Sequence, residues 1–146
     1  MGALILPATG SVYLEANAVI YTVEKIEPYS SFLKPLWIAA AKGSISIVTS
    51  ELTWTETLTK PMREKNEFME MLFRDFLSAP EIQLIPATLA LWEHTARLRA
   101  SGLKTPDALH AATSISSHCA LFLTNDSVFK RIPNLPVLHL KTAISS

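Results

Sequence analysis

Short apolar runs alternate with longer helical stretches along this chain of 146 residues. Five of the apolar runs have the length and the Val, Ile and Leu content of buried strands, and they span residues 12–15, 44–49, 82–85, 120–124 and 137–140. Helical periodicity occupies the intervals, over residues 17–25, 31–42, 50–59, 63–78, 88–100 and 107–118. This alternation predicts an α/β fold with a mostly parallel sheet of about five strands, because each helix returns the chain to the start of the next strand.

Length and composition narrow the class of protein. A chain of this size is expected to form one domain over residues 1–146. No apolar run approaches the ~18 residues of a membrane span, and the start lacks the basic segment of a secretory signal, so we expect a cytoplasmic location without membrane association. The single cysteine, Cys119, excludes an intrachain disulfide and a multi-thiolate zinc site. Thirteen acids balance thirteen bases, so the net charge does not indicate a polyanionic partner.

Four acids stand where predicted strands end or the following helices begin: Glu15, Glu56, Asp107 and Asp126. Ligands of parallel α/β sheets bind at this edge. Three of the acids have ordinary structural explanations. Asp107 suits the first turn of a helix capped by Thr105, Asp126 suits a turn, and Glu56 suits the polar edge of a helix. Glu15 is harder to explain in this way, because acids are rarely buried without a partner and its flanking sequence is apolar.

The four carboxylates together indicate a metal site. Gathered at one edge, they would repel each other by roughly 4 kcal/mol per close pair at an effective dielectric constant of ~20. Raised pKa values or a divalent cation would offset this repulsion. Mg²⁺ and Mn²⁺ favour such oxygen ligands, and a cation held there can activate water against a phosphodiester. His110, three residues after Asp107, is a further candidate ligand or base.

Four stretches of the sequence, VYLEANAVIY, TSELTWTETL, TPDALHAAT and LFLTNDSVFKRI, resemble segments of the PIN-domain nucleases in order and approximate spacing. The resemblance extends over residues 12–140 and is strongest to the VapC-type toxins of bacterial toxin–antitoxin pairs. It implies a three-layer α/β/α sandwich that cleaves RNA endonucleolytically with Mg²⁺ or Mn²⁺. It also implies a homodimer and a small antitoxin protein that blocks the pocket. The catalytic and metal-binding acids of the family align with Glu15, Glu56, Asp107 and Asp126, and its supporting polar positions with Asn17 and Thr124.

Two features depart from the family pattern. The family normally opens with Asp in YLDTN, where this chain has Glu15 followed by Ala16, and residues 1–11 form an N-terminal extension. Mg²⁺ tolerates little error at its ~2.0–2.1 Å bonds, and misplacement by ~1 Å can cost ~10²-fold in rate. The longer side chain therefore predicts a competent but weakened enzyme, or one that prefers Mn²⁺.

Two other functions remain open on the sequence alone. One is a PIN-fold scaffold that binds RNA or a protein partner without catalysis. The other is a phosphoacceptor receiver domain, which also gathers acids around Mg²⁺ at strand ends. A receiver needs an aspartate at the end of a central strand and a lysine at the end of a later one. This chain has Thr49 and Ser50 at the first place and Thr124 at the second, so the receiver ranks a distant third.

Overall fold

A central sheet of five parallel strands organises the molecule. The computed structural model describes residues 2–146. Its strands are β1 (Gly10–Leu14), β2 (Ile45–Ser50), β3 (Ile82–Ile85), β4 (Leu121–Thr124) and β5 (Val137–His139), in the spatial order β3-β2-β1-β4-β5. All neighbouring pairs are parallel, so the predicted α/β fold is confirmed. The chain runs outward from β1 to β3 and then crosses to β4, which places the switch in strand order between β1 and β4, where such sheets form a ligand crevice.

Helices cover both faces of the sheet. They are α1 (Ala16–Val23), α2 (Tyr29–Phe32), α3 (Lys34–Ala41), α4 (Leu52–Arg63), α5 (Glu67–Leu77), α6 (Leu89–Ala100), α7 (Thr105–Ser116) and α8 (Leu140–Ile144). A 3-10 turn at Ser127–Arg131 follows β4. Within residues 2–146, none of these helices combines the length and apolar character needed to cross a membrane.

Alternate side chains of β1 enter opposite layers of the core. Val12 and Leu14 pack with apolar residues of α1 to α5, whereas Tyr13 packs with Phe122, Phe129 and the small residues of α7. All of them are fully buried, as expected for a central parallel strand covered on both faces. The predicted three-layer α/β/α sandwich is therefore confirmed.

Several predicted boundaries were wrong. The helix predicted over residues 31–42 is two helices, α2 and α3, and Pro35 lies in the first turn of the second. The helix predicted over residues 63–78 begins only at Glu67, because the Asn66 side chain accepts a hydrogen bond from the Met69 amide at 3.1 Å and caps it there. Helix α8 was not predicted. Glu15, predicted as the last residue of the first strand, is instead the N-cap residue of α1.

The segment ahead of β1 packs on the end of the chain. The Gly2 amide donates a hydrogen bond to the Ile144 carbonyl at 2.9 Å. Leu4 is buried in the same hydrophobic cluster as Leu140 of α8. Part of the predicted extension, residues 10 and 11, belongs to β1 itself.

Candidate metal centre

The β1–β4 junction places Glu15 beside Thr124. These two strands pair in parallel with Leu14 opposite Leu123, so the residues that follow them emerge side by side. The Glu15 amide donates to the Leu123 carbonyl at 3.1 Å, which extends the pairing by one residue before α1 begins. The backbone of Glu15 is extended, and its side chain is half-buried at the carboxyl edge of the sheet.

Two polar side chains hold the Glu15 carboxylate. Its Oε2 accepts hydrogen bonds from Nδ2 of Asn17 and from the Thr124 hydroxyl, the latter at 3.1 Å. The same hydroxyl accepts a hydrogen bond from the Asp126 amide at 3.0 Å. Thr124, which is fully buried, therefore fixes the positions of two of the four acids relative to each other. The two supporting polar residues aligned by resemblance both contact Glu15.

Glu56 ends a chain of hydrogen bonds that runs through the core. Its Oε1 lies 2.6 Å from Nε2 of His110, and Nδ1 of the same ring lies 2.6 Å from the Tyr13 hydroxyl. The Ser50 amide donates to that hydroxyl at 3.2 Å. Tyr13 and His110 are buried, whereas 29% of the Glu56 side chain is exposed. One end of this series of hydrogen bonds is thus anchored to the backbone of the last residue of β2, and the other reaches the solvent-facing edge.

Glu15, Glu56 and His110 form the tightest group of possible metal ligands. One ligand atom from each lies within 4.8 Å of the others. Asp107, in the first turn of α7, and Asp126, at the start of the 3-10 turn, lie outside this group. The structure therefore brings two of the four predicted acids into one close cluster and adds His110 to it.

Electrostatics links the other two acids to this cluster. Burial is the main cause that raises the pKa of Glu15, and the negative charges of Glu56 and Asp126 add to the rise. Burial likewise raises the pKa of Asp107, and the charges of Asp126 and Glu56 raise it further. Glu56 and Asp126 are therefore close enough to act on both Glu15 and Asp107.

The structural roles expected for Asp107 and Asp126 are partly correct. The Asp126 carboxylate accepts a hydrogen bond from the Val128 amide at 3.0 Å and caps the 3-10 turn. The predicted cap at Thr105 was wrong, because α7 begins at Thr105 and its N-cap residue is Lys104, which makes no side-chain cap. The Thr105 hydroxyl instead accepts a hydrogen bond from Arg99.

The donor set fits a hard divalent cation. Two half-buried carboxylates, Glu15 and Glu56, provide the oxygen ligands that Mg²⁺ and Mn²⁺ prefer. Oδ1 of Asn17 is buried beside them and has no hydrogen-bond partner among residues 2–146. A buried acceptor of this kind costs roughly 1–3 kcal/mol of stability while it has no partner. A hydrated cation at this position would supply either a direct ligand bond or a water that donates a hydrogen bond to it.

Tyr13 was missed by the sequence analysis, and His110 was only an additional candidate. The signal for Tyr13 is a hydroxyl-bearing side chain between two apolar residues, Val12 and Leu14, of a buried strand, because such a hydroxyl needs a buried partner. The partner is His110, 97 positions away, and the sequence carries no mark of that pairing.

Comparison with known proteins agrees with this architecture. The family model described as the PIN domain matches residues 12–135. Among curated proteins, none matches the sequence. A VapBC2 complex from Rickettsia felis, bound to a DNA fragment from its promoter, has a chain that aligns with TM-score 0.72 at 23% identity, over 88% of this chain and 97% of its own.

Two further solved structures are similar. A toxin–antitoxin complex from Klebsiella pneumoniae aligns with TM-score 0.68 at 22% identity, over 87% of this chain and 95% of its own. VapC20 from Mycobacterium tuberculosis, described as a toxin that cleaves the sarcin–ricin loop, aligns with TM-score 0.67 at 14% identity, over 82% of this chain and 92% of its own. At these identities, the similarity concerns the fold.

Proposed function

The chain belongs to the PIN domain family, and on that basis we propose that it is a divalent-metal-dependent endoribonuclease, the toxin of a toxin–antitoxin pair. The observation that carries the proposal is the convergence of Glu15 and Glu56 on one small volume from elements 41 residues apart, with Asp107 and Asp126 acting on it electrostatically. Such a concentration of negative charge is unfavourable unless a cation is its intended occupant.

In the proposed reaction, the acids divide into two pairs. Glu15 and Glu56 would hold Mg²⁺ or Mn²⁺, and Asp107 and Asp126 would act on this pair through their charge. When bound, the cation supplies the positive charge that offsets charge developing on the phosphodiester and makes water acidic enough to attack it. Asn17 and Thr124 keep the Glu15 carboxylate in one orientation, which limits the reorganisation needed when the substrate arrives.

Basic side chains near the acids support an RNA substrate. Lys104 lies close enough for its charge to lower the pKa of Asp107. Lys130 and Arg131 belong to the 3-10 turn that Asp126 caps. We propose that they contact the phosphate backbone, which would guide RNA to the site although the net charge is zero.

Glu15 also supports a second candidate, a PIN-fold scaffold that has weak or no catalytic activity. Its Oε2 is already engaged by Asn17 and Thr124, and its side chain is one methylene longer than the aspartate usual in the family. A cation that needs closely placed oxygens would be held less well by such a ligand.

Cleavage of a mixed RNA pool in Mg²⁺ or Mn²⁺ separates the two candidates. The nuclease predicts cleavage that disappears in Asp107→Asn and in Asp126→Asn but persists in Glu81→Gln, a matched control because Glu81 is exposed and precedes β3 at the opposite edge of the sheet. Absence of cleavage by the wild type with either metal favours the scaffold. Cleavage that persists in both acid variants indicates a contaminating nuclease.

The proposed partners follow from the similar structures. The Rickettsia felis and Klebsiella pneumoniae structures are toxin–antitoxin complexes, and we propose a small antitoxin protein as a partner of this chain. From the resemblance to the family we also propose that the chain is a cytoplasmic homodimer. A short reading frame beside its gene that encodes a DNA-binding protein would identify the antitoxin. Co-expression should then give a stable complex that no longer cleaves RNA, and light scattering of the free chain should give twice the 16.1 kDa of one protomer.

A further inference from the structure

The His110 ring is held by hydrogen bonds at both nitrogens. Nδ1 lies 2.6 Å from the Tyr13 hydroxyl and Nε2 lies 2.6 Å from Glu56 Oε1. Only 1% of the His110 side chain is exposed, so water does not compete for either nitrogen. The tautomer of a neutral imidazole held in this way is decided by which neighbour donates and which accepts.

Tyr13 decides which groups donate and which accept along this series of hydrogen bonds. Its hydroxyl oxygen accepts a hydrogen bond from the Ser50 amide, which can only donate. Nδ1 of His110 is the nearer neighbour, at 2.6 Å against 3.2 Å for the Ser50 amide, and this geometry points to Nδ1 as the acceptor of the hydroxyl proton. With Nδ1 accepting, the ring proton lies on Nε2 and is donated to Glu56.

We propose that Tyr13 holds His110 as the neutral Nε2–H tautomer, and that His110 acts as a positioning residue for Glu56 and does not bind the metal. A ring in this state has no lone pair left for a cation, although its position beside Glu15 and Glu56 would suit a ligand. Glu56 keeps Oε2 free for the cation while Oε1 is fixed by the ring. The role toward the cation rests on the proposed function, whereas the tautomer does not.

The arrangement makes the orientation of Glu56 depend on His110 and, through it, on Tyr13. Glu56 lies in α4 with 29% of its side chain exposed and would otherwise sample several rotamers. The hydrogen bond from His110 restricts the carboxylate to one of them. Loss of a group that orients a metal ligand typically weakens metal binding 10- to 100-fold.

The tautomer is tested in metal-free protein by nitrogen-15 NMR of the histidine rings. The His110 signal is identified by its disappearance in His110→Gln, and His94, His118 and His139 serve as internal references. We expect a ring protonated at Nε2 alone, and a shift toward mixed tautomers in Tyr13→Phe, which removes only the hydroxyl. A ring protonated at Nδ1, or at both nitrogens, would overturn the proposal.

The positioning role is tested by Mn²⁺ binding. We expect about tenfold weaker affinity in Tyr13→Phe, a 10- to 100-fold loss in His110→Leu, and substantial rescue in His110→Gln, whose amide can donate to Glu56. Pulsed electron paramagnetic resonance of Mn²⁺ in the wild type should show no directly bound nitrogen. Unfolding curves establish that each variant is folded, and Tyr13→Phe carries the test if the His110 variants are not.

The possible failures are distinct. Direct coordination of nitrogen to Mn²⁺, or unchanged affinity in Tyr13→Phe, overturns the positioning role while leaving a metal-dependent nuclease intact. Failure of the wild type to bind Mn²⁺ overturns the proposed function and, with it, the role of His110 toward a cation. The NMR result on the metal-free ring stands in either case.

Discussion

Replacing Glu15 by glutamine should stabilise the metal-free protein and abolish its response to Mn²⁺. The substitution removes one negative charge from the cluster and preserves the size of the side chain. Because the amide oxygen can still accept hydrogen bonds from Asn17 and Thr124, the local contacts of Glu15 are largely retained. What changes is the repulsion between this carboxylate and its neighbours, chiefly Glu56.

The separation of the ligand atoms sets the magnitude. Two unit charges at 4.8 Å, the upper bound on the separation of these ligand atoms, repel by about 3.5 kcal/mol at an effective dielectric constant of ~20. The hydrogen bonds to Glu15 favour its charged form and offset part of this repulsion, as does any protonation permitted by its raised pKa. We therefore expect a net stabilisation of about 1–3 kcal/mol at neutral pH, which corresponds to a rise in melting temperature of roughly 3–10 °C.

Thermal unfolding in EDTA and in excess Mn²⁺ measures both effects. The wild type should gain about 2.7 kcal/mol of stability at a Mn²⁺ concentration 100 times its dissociation constant, and Glu15→Gln should gain almost nothing. The control Glu81→Gln changes the net charge equally and should stay within about 0.5 kcal/mol of the wild type in both conditions. A metal-free Glu15→Gln protein less stable than the wild type, or one that Mn²⁺ stabilises as much, would refute the reasoning.

Three further perturbations test separate parts of the site. Glu15→Asp should raise the affinity for Mg²⁺ relative to that for Mn²⁺, because the shorter side chain is the one usual in the family and Mg²⁺ tolerates less error in the position of its ligands. Isothermal titration measures both affinities, and the same Mg²⁺ to Mn²⁺ affinity ratio in the variant and the wild type would contradict this. The metal-free protein should lose stability as the pH rises from about 4 through the raised pKa values of Glu15 and Asp107, because the folded state holds these two protons more firmly than the unfolded chain does. Urea unfolding at a series of pH values measures this loss, and Glu15→Gln should make it smaller. Thr124→Val removes the hydroxyl that bonds both Glu15 and Asp126, so it should cost about 1–3 kcal/mol of stability and roughly tenfold in Mn²⁺ affinity, and an unchanged affinity would show that Thr124 does not order the site.

The strands and the edge that carries the acids could be predicted from the sequence, because apolar runs of strand length report burial and parallel strands end at a common edge. The break at Leu33 and the start of α5 could not, because helical periodicity continues past both points. Pro35 lies in the first turn of the helix after the break, and the Asn66 cap decides where α5 begins. The Tyr13–His110 contact could not either, because the packing of α7 against the sheet brings these residues together across 97 positions of the sequence.

The distances among the acids could not be predicted from the sequence either. Strand-end position predicted one cluster of four equal members, whereas the structure has a close pair, Glu15 and Glu56, with Asp107 and Asp126 farther out. Strand ends fix the edge on which a side chain lies but not how far it reaches along that edge. Glu56 and Asp107 lie within helices, where helical phase and side-chain length decide the final position.

Anomalous diffraction from a crystal of the wild-type protein soaked in Mn²⁺ tests the central claim most directly. We expect a Mn²⁺ peak bonded to carboxylate oxygens of both Glu15 and Glu56, with His110 still hydrogen-bonded to Tyr13 and Glu56. Density for Mn²⁺ only at other positions, or an acid cluster that stays free of the metal at saturating concentration, would contradict the claim that these residues form a cation site.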